Sequence, residues 1–236
     1  MGSETNTAGQ PARQRWVFIA LIGLGVALVA FAIISGQFPP GLQPATAAPG
    51  ALPNPIGLSL GDPHAPVTID VFEDFQCPAC KYFTESIETV VIRNLVVNGK
   101  ARYVYHHFPF LDGEGAQNGG ESDQAANASM CANEQGRFWE MHHSLFANWN
   151  GENRGGFRDS RLQALAESTG LDMDLFYACF TANKYQAEIQ ADFDLGLQMG
   201  VSGTPTVFVN SVQAGRPGKI ATYEEIAQAV EQALSE

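Results

Sequence analysis

Basic side chains are scarce in this 236-residue chain: 13 Lys and Arg stand against 25 Asp and Glu. A formal net charge of −12 leaves no basic face for phosphate backbones, so a nucleic-acid binder is excluded. Cysteine is scarce too. Four residues cannot build a disulfide-held miniprotein, although the number is even and two of them fall in one tight motif. No fixed period runs through the chain and 10% of it is aromatic, so collagen-like, repeat-built and wholly disordered chains drop out. Apolar residues, in contrast, make up 45% of the chain, enough to pack a core for one domain with extras or two small ones.

Charge is missing altogether between Trp16 and Ile34. As a helix this 19-residue run would be about 28 Å long, close to the hydrocarbon thickness of a bilayer. Arg13 and Arg15 precede it and no basic residue follows before Lys81, which predicts a cytoplasmic N-terminus and an exported remainder. The reading is a cytoplasmic stretch at 1–15, one transmembrane helix at 16–34 that stays as an anchor, and a Pro/Gly/Ala-rich linker at 35–60. The alternative is cleavage near Ala47, at the small-residue stretch Ala45-Thr46-Ala47, and secretion of a soluble protein.

From residue 61 the pattern becomes that of a folded domain. Val67, Ile69 and Val71 alternate as in a buried strand, expected at about 66–75. Phe83, Ile87, Val91 and Leu95 recur every four residues, predicting a helix that ends near Asn98-Gly99. Ala101 to Phe108 reads as a second strand, completing a βαβ unit. A helical stretch follows, with stripes at Phe138, Met141 and Leu145, at Leu162, Leu165 and Ala166, at Leu175 and Phe176, and at Tyr185, Ile189, Phe193 and Leu197. Thr206 to Val209 is a short strand, Asn210-Ser211 a hairpin turn, and Thr222 with Glu225 a capping box for a last helix. The fold class is α/β: a thioredoxin-like arrangement over 61–236 with a helical insertion at about 112–200.

Cys77-Pro78-Ala79-Cys80 sits where the first strand meets the helix. Two intervening residues at a helix start bring the sulfurs within bonding reach. The free N–H groups there stabilise a Cys77 thiolate, and a stabilised thiolate is a good leaving group, which makes the disulfide form oxidising. Pro78 fits the first helical position because its missing N–H costs nothing there. A purely structural disulfide, or a four-sulfur metal site completed by Cys131 and Cys179, are the competing readings. The first closes too short a loop to stabilise much. In the second, neither outer cysteine has another ligand at metal-binding spacing.

With GDPHAPVTIDVFEDFQCPAC at 61–80, MCANEQGRFWEMHHSLF at 130–146 and GVSGTPTVFVN at 200–210, the chain resembles the DsbA-like thiol-disulfide oxidoreductases of the bacterial cell envelope. The resemblance implies that Thr204-Pro205 is the family's threonine and cis-proline, facing Cys77 and pairing its backbone with a substrate segment. It also implies reduced exported proteins as clients and a quinone-linked, DsbB- or VKOR-like membrane partner for re-oxidation. No cofactor is needed. The chain departs from the strong oxidants of the family in carrying Ala79, not histidine, between the cysteines, and Val71 where a carboxylate stands six residues before the first cysteine. Glu73 and Asp74 are the nearest candidates to assist proton transfer near Cys80; equally, they would serve only to solvate a strand end.

Cys131 and Cys179 both fall in the insertion. Export implies an oxidising compartment, so a structural disulfide between them is expected, with two buried free thiols as the alternative. Neighbouring histidines at 106–107 and 142–143 point to different sides of a strand or helix, so neither pair chelates a metal by itself. Packing is the assignment for His142 and His143, no metal site is expected, and Trp139 and Trp149 are read as core or lid residues. The function expected is disulfide formation in exported proteins at Cys77 and Cys80. The alternatives are a reductase or isomerase using the same site, and a non-catalytic metal- or client-binding module.

Overall fold

The protein is described by a computed structural model at residues 42–43, 52–112 and 119–235. The run Trp16–Ile34, expected to cross a membrane, lies outside the described residues. Among the described residues no helix is long and apolar enough to do so.

A five-stranded sheet forms the frame, in the order β1-β3-β2-β4-β5. Central β2 (Val67–Glu73) runs parallel to β3 (Ala101–His107) and antiparallel to β4 (Thr206–Val209). β1 (Ser59–Leu60) adds antiparallel to β3, and β5 (Val212–Gln213) pairs with β4. The sheet therefore starts inside the stretch read as linker: Leu60 is fully buried, a placement its two-residue strand was too short to signal. Gln43, deeper in that stretch, exchanges two hydrogen bonds with Asn148, at 2.7 and 2.8 Å. At the far hairpin, Asn210 and Ser211 both take positive φ (46° and 67°), as a two-residue turn requires.

From Cys77 the chain enters one continuous helical run: α1 (Pro78–Phe83), a π-helical turn (Thr84–Glu88), α2 (Thr89–Val91) and a second π-helical turn (Ile92–Val96). The π turns explain how a strict four-residue repeat stays inside. On an α-helix each such step drifts by about 40°. The wider i→i+5 turns take up that drift, and Phe83, Ile87, Val91 and Leu95 all remain in the core. In the insertion the same spacing meets a regular helix with no such correction, and Leu197, the last of its series, is 54% exposed.

The insertion holds α3 (Glu121–Asn133), α4 (Phe138–Ala147), α5 (Asp159–Ser168), α6 (Met173–Thr181) and α7 (Gln186–Gln198). A disulfide joins Cys131 of α3 to Cys179 of α6, with S–S 1.99 Å and Cα–Cα 5.7 Å. The last helix, α8 (Tyr223–Ser235), opens on a reciprocal cap in which Thr222 N–H donates to Glu225 Oε2 (2.9 Å) and Glu225 N–H to Thr222 Oγ1 (3.3 Å).

Alternation along β2 and β3 sorts residues onto two faces. One face carries Val67, Ile69, Val71, Glu73, Tyr103, Tyr105 and His107 and belongs to the main core, into which α4 sends Phe138, Trp139 and Met141. Trp139 lies against Tyr103, with ring centroids 6.0 Å apart. The other face carries Asp70, Phe72 and His106 and is covered by α7, whose Phe193 stacks on Phe108 at 4.5 Å. Gly196 permits that approach: a Cβ there would lie 2.7 Å from the Phe108 ring.

Candidate active site

Cys77 occupies the N-cap position of α1, with extended backbone (φ −73°, ψ 122°), and Pro78 begins the helix. The turn before it is held by Asp74, whose backbone carbonyl accepts from Cys77 N–H at 3.0 Å. Cys77 is 5% exposed and Cys80, one turn in, is fully buried. Both are free thiols in this structure. From the opposite side the 201–205 loop arrives before β4. Its Thr204-Pro205 peptide bond is cis, and the Thr204 carbonyl accepts from Cys77 Sγ at 3.3 Å. The loop and the dithiol are thus neighbours, although 127 residues separate them.

The two thiols are electrostatically unequal. The Cys77 pKa is lowered to about 6, chiefly because the Cys80 S–H donates to its thiolate. Burial opposes this, while Thr204 and the N–H groups of Cys80 and Ala79 assist. The Thr204 hydroxyl has no other partner and is free to donate. The helix-end N–H groups therefore contribute as the sequence suggests, but the neighbouring thiol contributes more. Cys80 moves the other way, pushed well above the usual thiol range by burial, by its role as donor to Cys77, and by the charge of Glu73.

The acidic residues before the motif do not solvate a strand end; both are buried. Asp74 is fully engaged as a bracket. It accepts from Gln76 N–H (2.8 Å), Phe110 N–H (3.0 Å), Leu111 N–H (3.1 Å) and the Ser122 hydroxyl (2.7 Å). Burial still carries its pKa up to about 7 against those four donors. The Glu73 carboxylate has no hydrogen-bond partner, and its pKa is raised well above the carboxylate range by burial, then by Glu88 and Cys77.

Composition and spacing did not reveal the side chains that tie the motif to the insertion. Gln76, fully buried, donates to Asp112 Oδ1 and Ser122 Oγ (both 2.9 Å) and accepts from Asn153 N–H (2.6 Å). Trp149 donates its indole N–H to the Gln76 carbonyl at 2.6 Å. Its ring, with Pro78, Asn150, Gly151, Glu152 and Arg154, lines an open groove of ≈ 460 Å³ beside Cys77. A glutamine directly before a CxxC motif is the one signal that was available. Trp139, by contrast, is core.

A thioredoxin family model matches residues 54–232. The chain is 36% identical over 150 residues to the Na(+)/H(+) antiporter NhaA 3 of Salinispora tropica, covering 64% of this chain and 21% of the antiporter. The chain thus spans about a fifth of that relative's length. It is 25% identical over 176 residues to disulfide bond formation protein D of Bacillus subtilis, covering 74% and 76% of the two chains. The crystal structure of oxidised BdbD from Bacillus subtilis superposes with a TM-score of 0.66 at 25% identity, over 79% of this chain and 98% of that one. Given a CxxC dithiol at a helix start opposite a Thr-cis-Pro loop, on a sheet carrying a helical insertion, the chain belongs to the thioredoxin family.

Proposed function

We propose that the chain forms disulfides in exported proteins through Cys77 and Cys80. The single observation that carries this reading is the inequality of the two thiols around the Thr204 contact. A thiolate stabilised at Cys77 favours the reduced dithiol, and stabilising the reduced form makes the disulfide an oxidant. Starting from the oxidised protein, a client thiolate attacks Cys77 Sγ, the Cys77–Cys80 bond breaks, and Cys80 leaves as the thiolate and takes up a proton. A second client thiolate then attacks the client sulfur of the mixed disulfide. The client keeps the new disulfide, Cys77 leaves as the stabilised thiolate, and two electrons rest on the dithiol. A quinone-linked membrane partner of the DsbB or VKOR kind would remove them. The Thr204-Pro205 loop and the groove beside Trp149 are the surfaces offered to the client segment.

Anchoring by residues 16–34 with the catalytic domain outside the membrane belongs to the same proposal, with release after cleavage near Ala47 as its alternative. Ala79 favours the second reading of the chemistry, a reductase or isomerase, because it supplies no donor to the thiolate from between the cysteines.

Trapping separates the roles of the two cysteines. Cys80→Ala leaves no internal thiol to resolve the mixed disulfide, so clients are expected to accumulate covalently on Cys77, whereas Cys77→Ala traps none. Thiolate absorbance of the reduced wild type is expected to titrate with a midpoint near 6. Equilibration with glutathione is expected to show a dithiol more oxidising than that couple. A potential near that of thioredoxin, about −270 mV, would assign the site to reduction instead.

A further inference from the structure

Behind the dithiol, four side chains converge without bonding to one another. His142 and His143 diverge at their Cβ atoms, yet both imidazoles reach the Glu88 carboxylate: His142 Nε2 lies 3.9 Å from Oε2 and His143 Nε2 3.7 Å from Oε1. On its other side His142 Nε2 lies 3.6 Å from Glu73 Oε2. These separations are too long for hydrogen bonds. They are close to the spacing of donors around a metal ion, since ligands about 2.0–2.1 Å from a tetrahedral zinc sit about 3.4 Å from one another. One donor atom each from Glu88, His142 and His143 lies within 4.8 Å of the other two.

The group is also unsatisfied. Both carboxylate oxygens of Glu73 and both ring nitrogens of His142 are buried without a hydrogen-bond partner. The side chains of Glu73 and His142 are 0% exposed and that of Glu88 1%. Polar groups in an interior are normally paired, and leaving several unpaired at one point is costly. Glu88 ends the first π-helical turn, a distortion that recurs at functional sites, and its Oε2 accepts from the Tyr103 hydroxyl at 3.0 Å, the supporting contact that orients a ligating carboxylate.

We propose that Glu88, His142 and His143 bind one divalent transition-metal ion, best matched by zinc. Two imidazoles with a carboxylate suit zinc; calcium and magnesium call for oxygen donors alone. The ion joins the π turn to α4, and so fastens the insertion to the helical run that the dithiol opens. His143, 14% exposed, marks the way in. Packing alone, the role expected for these histidines from the sequence, leaves the orphaned atoms unexplained.

The test uses untagged full-length protein in the oxidised form, where Cys77 and Cys80 are locked in a disulfide and cannot ligate. After stripping with a chelator, zinc is added, excess is removed, and bound metal is counted per chain. One zinc per chain is expected, with a Tm that rises with free zinc. His143→Ala, at the rim, is expected to keep the circular dichroism of the wild type while losing affinity about 100-fold, and Tyr103→Phe about 10-fold. Wild type that retains no zinc while folded, or His143→Ala and Glu88→Gln variants that retain it as the wild type does, would overturn the site and leave buried water as the occupant.

Discussion

The two faces of the β2–β3 pair bury the same residue types in opposite states. On the α7 face His106 sits between two carboxylates, Asp70 at 3.0 Å and Asp192 at 3.1 Å, and Asp192 also accepts from His107 N–H at 3.1 Å. Its ring stacks on Phe72 at 4.6 Å. On the α4 face Glu73, His142 and the His107 ring nitrogen Nε2 have no partner. Burial alone would lower the pKa of His106, yet the hydrogen bonds and charge of Asp192 and Asp70 carry it up to about 9. His107, one residue on and facing the other way, is pushed down to about 4 by burial. Burial by itself thus neutralises a histidine, and only a placed counter-charge keeps one protonated. The paired face holds α7 to the sheet; the unpaired face lies behind the dithiol.

Removing the imidazole from the paired face is the most damaging way to test this contrast. His106→Gln is expected to lower stability by about 3 kcal/mol at pH 6, because two partly buried carboxylates are left facing each other. The sign with pH follows from the raised pKa of His106. Its stabilisation is fully present below the unfolded value near 6.5 and disappears as pH rises through about 9. Thermal melts of the two proteins should therefore converge at high pH; a constant gap across pH 6 to 10 would mean the histidine acts by packing alone.

A matched pair of carboxylate-to-amide changes sharpens the comparison. Asp192→Asn is expected to cost about 2 kcal/mol, since it removes the charge that holds His106. Glu73→Gln in chelator-treated protein is expected to leave stability unchanged or raise it, because the carboxylate it replaces has no partner to lose. Denaturant titration of both at pH 7 gives the two signs, and equal losses would break the distinction between the faces.

The smallest effect is steric and belongs to the α7 face. Gly196→Ala gains helix propensity but drives a Cβ to 2.7 Å from the Phe108 ring, so a net loss of about 1 kcal/mol is expected in the same titration. A gain in stability would show that α7 has room to shift on the sheet.

The local elements were legible where a period or a cap spoke directly. Alternation at Val67, Ile69 and Val71, the Thr222–Glu225 cap and the Asn210-Ser211 turn each record an interaction between near neighbours in the chain, and each is in place. So is the CxxC motif at a helix start, because its chemistry is set by four consecutive residues and the helix they open. The insertion was visible as helical stripes, but not which face of the sheet each stripe covers. Nor was it visible that one four-residue repeat would be rescued by π turns while another would carry Leu197 into solvent. Leu175, read as part of a stripe, is likewise 58% exposed, while its neighbour Phe176 is buried.

The amino-acid sequence by itself determined the frame of this protein: strand, helix and turn periods, the dithiol, and an even pair of outer cysteines. Only the tertiary structure decided what surrounds the dithiol. Thr204 reaches Cys77 across 127 residues, Gln76 reaches Asn153 across 77, and Glu73 meets His142 through the packing of α4 on the sheet. A pKa or a cluster of unpaired polar groups depends on which charges and dipoles are brought within a few ångströms and which water is expelled. Those are properties of the packed interior, and no spacing along the chain encodes them.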